Sequence, residues 1–130
     1  RSGTYHRDRG RQTGQDHWGP GVPKVYKSMS VIDGQLCEKE WQRLVTDCAT
    51  IYGWAWWHQP DSRRTQAGIP DLLLIRETAQ GVDTLWAELK RQNGKLTARQ
   101  EEVISLLIRG GHEVHVWRPS DWPKVEARLK

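Results

Sequence analysis

A chain of 130 residues, 36% hydrophobic and 28% charged, has room for one ordinary domain and a tail, and holds no run of the roughly 20 apolar residues that cross a bilayer. Its net charge of +4 lies entirely at the start: residues 1–30 carry six Lys/Arg against two Asp/Glu, which leaves fourteen of each sign for residues 31–130. Any DNA binding by the remainder therefore needs local clusters of Arg and Lys.

The opening residues lack the apolar centre of a secretory signal. Cys37 and Cys48, placed on one helix, would stand about 16 Å apart and could not pair. A reduced, cytoplasmic setting is the expectation, that of the host if the chain is phage-encoded. Residues 1–30 mix Gly, Arg, Asp and Gln without an apolar period and read as a disordered basic tail, with an upstream extension ahead of a start at Met29 as the favoured account. Residues 31–130 form the domain.

Trp41, Leu44, Val45, Cys48, Ala49 and Tyr52 recur at helical spacing, predicting a helix over 38–52 that stops at Gly53. Trp54 to His58 is short and aromatic, a first strand. After a polar loop over 59–69, residues 70–76 are almost continuously apolar, as in a strand covered on both faces. Gly81 to Asp83 is expected to turn the chain into a third strand over 84–91. Thr97 with Gln100 three residues on has the pattern of a capping box, opening a helix whose buried stripe is Val103, Ile104, Leu107 and Ile108. Glu113 to Trp117 alternates as a fourth strand, and Ser120 is expected to cap a last helix with Pro123 in its first turn. The order is α-β-β-β-α-β-α, an α/β fold.

The chemistry concentrates at Pro70-Asp71 and, seventeen residues after Asp71, Glu88-Leu89-Lys90. Alternation puts Glu88 and Lys90 on one face of a strand. If the second and third strands pair, Asp71 lies beside Glu88, and two converging carboxylates suit a hard cation such as Mg²⁺. A neighbouring ammonium can orient water and offset charge at phosphorus. An acid-x-Lys triplet arises about once by chance in a chain of this length; the combination with Pro-Asp at a strand start and an acidic helix before it carries the weight.

In the same order, Glu38-Lys39-Glu40-Trp41-Gln42, Gly53-Trp54, Gly68-Ile69-Pro70-Asp71-Leu72, Glu88-Leu89-Lys90 and Leu96-Thr97-Ala98-Arg99-Gln100 resemble the VRR-NUC domains, a branch of the PD-(D/E)XK nuclease superfamily, over roughly residues 36–130. The resemblance implies a restriction-endonuclease-like core, a central mixed sheet flanked by helices, and Mg²⁺- or Mn²⁺-dependent cleavage of DNA. It implies Asp71 and Glu88 as metal ligands with the main-chain carbonyl of Leu89, and Lys90 as the catalytic lysine. Small stand-alone members from phages and bacteria resolve Holliday junctions as homodimers, so branched DNA and a second copy are the implied partners, with no membrane and no small-molecule cofactor. The family's additional acid matches Glu38 by its spacing to Trp41 and Gln42. Glu40 is the alternative, and the two point roughly 200° apart on a helix. Gln100 matches a glutamine near the family's active site, although a capping role alone accounts for it equally well.

His58, Ser62, Arg63 and Arg64, in or beside the loop before Asp71, and Lys95 and Arg99 after Lys90, are candidate substrate contacts. His112-Glu113-Val114-His115 has the wrong spacing for a helical zinc motif. With eight Trp and no Phe, tryptophan fills the aromatic core role: Trp41, Trp54, Trp86 and Trp117 are expected inside, and Trp56 or Trp57 remains available to stack on a base. The competing function is a non-catalytic or partner-dependent nucleic-acid-binding module of the same fold.

Overall fold

The computed structural model describes residues 36–59 and 66–130. The basic tail, and Ser62, Arg63 and Arg64, lie outside the described residues. Element order follows the expected pattern: α1 (Glu38–Ile51), β1 (Ala55–His58), β2 (Leu72–Thr78), β3 (Gly81–Leu89), α2 (Ala98–Arg109), β4 (Val114–Trp117), a 3₁₀ turn (Pro119–Asp121) and α3 (Trp122–Leu129). The four strands form one mixed sheet in the order β1-β2-β3-β4. The first three are antiparallel neighbours, and β4 runs parallel to β3 after the α2 crossover.

One face of this sheet carries the core. Trp41, Leu44, Val45, Cys48 and Ala49 of α1 meet Leu72 and Leu74 of β2 and Leu85, Ala87 and Leu89 of β3, with Trp117, Trp122, Val125 and Leu129 completing the cluster. Two of the indoles bury their rings and still satisfy their N–H groups: Trp41 Nε1 donates to Trp117 O at 3.0 Å and Trp54 Nε1 to Leu129 O at 2.8 Å. Gly53, at φ +86, takes the left-handed turn that ends α1.

Several local expectations need correction, among them Trp86, which is half-buried and pairs with Leu73 on the face away from the core. β2 begins at Leu72 because Pro70 has no N–H for the ladder, and only one face is buried: Leu72 and Leu74 are inaccessible while Leu73 and Ile75 are half-buried. α2 packs against β4 at the far side of the sheet and leaves β2 partly uncovered. The turn is Ala79-Gln80 rather than 81–83, since Thr78 Oγ1 accepts from Gln80 N–H and Thr78 pairs with Gly81, so β3 runs 81–89 and stops one residue short of Lys90.

Ile108 is 53% exposed. Ile104 is the buried residue of α2, with Val103 and Leu107 half-buried. Ser120 caps no helix; it lies in the 3₁₀ turn, where its N–H donates to Gln92 Oε1 at 2.9 Å and its Oγ accepts from Gln92 Nε2 at 2.9 Å. α3 starts at Trp122 with Pro123 in its first turn.

Among the described residues no helix is long and apolar enough to cross a membrane.

Candidate functional site

Leu72 pairs with Ala87 across β2 and β3. One further step of that antiparallel register sets Asp71 opposite Glu88, on the face away from the core. Asp71 is tied at both ends: its main-chain oxygen accepts from Gln59 N–H at 2.9 Å, and its Oδ2 accepts from Leu89 N–H at 2.9 Å. Its carboxylate is thereby held against the backbone of the Glu88-Leu89-Lys90 segment.

Glu88 is 1% exposed, extreme for a carboxylate. Its Oε2 accepts from Gln100 Nε2 at 3.0 Å and lies 3.6 Å from Lys90 Nζ. Its Oε1 is buried with no hydrogen-bond partner. Burial first, and the Asp71 charge second, push Glu88 up to about 7, against the pull of Lys90.

Gln100 is both a cap and a site residue. Its Oε1 accepts from Thr97 N–H at 2.9 Å while Thr97 Oγ1 accepts from Gln100 N–H at 3.1 Å, the reciprocal capping box at the start of α2. With the oxygen engaged by the cap, the amide nitrogen is the end left to face Glu88, so one side chain orients the helix and the carboxylate together.

Gly68 makes this approach possible. It sits at φ +105, and a Cβ there would lie 2.8–2.9 Å from Val103 Cγ2, Arg99 Cγ and Arg99 O. The segment between Lys90 and α2 is pinned from the other side, where Arg118 Nη2 donates to Gly94 O at 2.7 Å and Gln92 bonds Ser120.

The structure brings together Asp71, Glu88, Lys90 and Gln100, with the main chain of Leu89. Among the described residues no hydrogen bond or ion pair joins Glu38, His58, Lys95 or Arg99 to these groups. Glu38 is an exposed first-turn residue of α1, and Glu40 Oε1 accepts from Cys37 N–H at 3.0 Å as that helix's cap. His58 pairs with Leu72 and so projects from the core face of the sheet, opposite to Asp71. Lys95 is exposed, and Arg99 Nη1 reaches Glu102 Oε1 at 3.0 Å. The pinning by Gln92, Ser120 and Arg118 had no motif to announce it.

A hard divalent cation fits this arrangement. A buried carboxylate oxygen without a hydrogen bond, beside a second carboxylate, is costly unless a positive charge meets it. Mg²⁺ keeps several waters and is commonly held by only one or two carboxylates. Among the described residues no group of three or more His, Cys, Asp or Glu side chains gathers, so Asp71 and Glu88 would act as a pair.

The VRR-NUC domain family model matches residues 18–121, beginning within the segment read from sequence as a tail. Neither the curated proteins nor the solved structures gave a match. PD-(D/E)XK nuclease domains generally use divalent metals and take DNA as substrate. A match over most of the chain, on a mixed sheet flanked by helices, identifies it: the protein belongs to the VRR-NUC domain family of the PD-(D/E)XK nuclease superfamily and carries a nuclease-type domain.

Proposed function

We propose that the protein is a divalent-metal-dependent endodeoxyribonuclease that hydrolyses phosphodiester bonds in branched DNA, working as a homodimer. The observation that carries this reading is the buried Glu88 carboxylate, one oxygen unpartnered, opposite Asp71 and 3.6 Å from the Lys90 ammonium.

Asp71 and Glu88, with the main-chain carbonyl of Leu89, would hold Mg²⁺ or Mn²⁺. Bound there, the ion supplies Lewis-acid activation of water and of the phosphoryl group. Lys90 places a fixed positive charge where negative charge grows on the phosphorus oxygens, in a partly dry site where such a charge counts most. Gln100 keeps the Glu88 carboxylate turned to the site, and the Leu89 N–H does the same for Asp71. Branched substrates and a dimer rest on the resemblance to the small stand-alone members. Glu38 would enter only if α1's first turn meets the substrate.

The test is a cleavage panel of four-way junction, flap, nicked duplex and linear duplex with Mg²⁺ or Mn²⁺. Metal-dependent scission is expected, fastest on a branched substrate, from a species of twice the chain mass. Asp71→Asn and Glu88→Gln should abolish it, and Lys90→Ala should slow it about 100-fold or more. Asn is preferred to Ala at position 71 because it still accepts from the Leu89 N–H. Wild-type protein that cuts none of the four overturns the reading. Junction binding without scission would then assign a non-catalytic module, and scission that requires an added protein would assign a partner-dependent one.

A further inference from the structure

We propose that Trp57 is a stacking platform for an unpaired nucleobase beside the scissile phosphate, so that branch points with an open base are the preferred substrates. This rests on the nuclease reading of the same sheet face and extends it to how the substrate is chosen.

Trp57 lies on β1, the edge strand, and is 53% exposed. It pairs with Leu73, and Leu73 pairs with Trp86. Side chains directly opposite one another share a face, so Trp57, Leu73 and Trp86 form a cross-strand row on the side of the sheet that carries Asp71 and Glu88. The two rows are separated by two residues of strand rise, about 7 Å, within reach of a base whose phosphate sits at the carboxylates.

The neighbouring Trp56 shows the contrast. It faces the other way, and its Nε1 donates to Thr50 Oγ1 of α1 at 3.0 Å. Among the described residues no hydrogen bond or ring contact engages the Trp57 indole. Buried tryptophans here serve the core; this one stands free next to the proposed reaction centre. An indole can stack only on a base whose face is open, and duplex bases are covered by their neighbours except at ends, branches and unpaired positions.

The experiment uses the full chain with Ca²⁺ in place of Mg²⁺. Forked DNA and a fully paired linear duplex carry 2-aminopurine walked along the nucleotides nearest the branch or the corresponding duplex positions. The expected result is strong quenching at one unpaired position with wild type, lost in Trp57→Ala and largely retained in Trp57→Phe. Kd for the fork should weaken about tenfold in Trp57→Ala, with duplex Kd within about twofold. With Mg²⁺, KM for the fork should rise in step while kcat holds. Trp57→Leu, which still covers Leu73 but has no π face, serves if the alanine variant melts early.

An unchanged fork-to-duplex ratio in these variants overturns the proposal. So does a shift of the chain from dimer to monomer in Trp57→Ala, which would give this face to a second copy. If wild type cuts no substrate, the nuclease reading fails on its own, and the quenching still decides whether Trp57 stacks.

Discussion

Among the described residues Glu88 carries the sharpest electrostatic conflict, a carboxylate out of water with one oxygen unpaired and a second acid opposite. The fold keeps its proton up to about 7, above the ordinary 4.5. Between those values the folded chain holds a proton that the unfolded chain has released, so this group favours folding below 4.5 and loses that effect as pH rises through 7. Glu88→Gln retains the acceptor for Gln100 Nε2 and has no charge to bury. In EDTA it should melt with wild type at pH 4 and be more stable at pH 8, by up to about 3 kcal/mol. Adding Mn²⁺ at pH 8 should raise the wild-type Tm and leave the variant's unmoved. A variant that melts below wild type at pH 8 would show that Glu88 is a structural acid rather than one held for a cation.

At the scale of elements, the site depends on how closely α2 approaches the segment before Asp71. Gly68 has two reasons to be glycine, a positive φ and the absence of space for a Cβ against Arg99 and Val103. Gly68→Ala should cost about 2 kcal/mol in denaturant unfolding and lower cleavage further by lifting Gln100 from Glu88. Wild-type stability in this variant would mean that the segment yields without moving the helix. The capping box at Thr97 was readable because a cap is local chemistry, two side chains and two amides within one turn. That the same Gln100 reaches Glu88 was not, because it depends on where α2 lies on the sheet. The start of β3 is hidden for a related reason: Gly81 looks like a turn residue, but the Thr78 hydroxyl sets the turn two residues earlier.

At the scale of the whole molecule, the far end of the chain is tied to the sheet by charge. Arg128 of α3 reaches Glu113 at 2.7 Å and Asp83 at 3.0 Å, and Arg76 lies 3.9 Å from Asp83. Both guanidinium groups lie over the Trp54 ring, at 4.4 Å for Arg76 and 5.4 Å for Arg128. Hydrogen bonds from Arg128, joined by one from His115, hold Glu113 down to about 2. A depressed acid stabilises above its ordinary pKa and loses that contribution as pH falls toward 2. Arg128→Ala should therefore lower Tm clearly at pH 7 and progressively less from pH 4.5 to pH 2. A deficit of constant size across that range would mean that packing on Trp54, rather than charge, is what Arg128 contributes. Nothing in the spacing of residues 76, 83, 113 and 128 announces this cluster, which joins two strands, the residue before β4 and the last helix.

What the amino-acid order decided by itself is what depends on near neighbours: the apolar stripe of α1, the stop at Gly53, the capping box of α2, the element sequence, and a Pro-Asp and Glu-x-Lys pair placed to meet. Periodicity and capping act over a few residues and need no knowledge of the rest. The three-dimensional arrangement alone decided that Glu88 is buried with an unpaired oxygen, that Gln100 holds it, that His58 faces away, and that Trp57 stands open beside the carboxylates. Burial and register are relations between strands distant in sequence, and a shift of one residue in the pairing would have reversed every one of them.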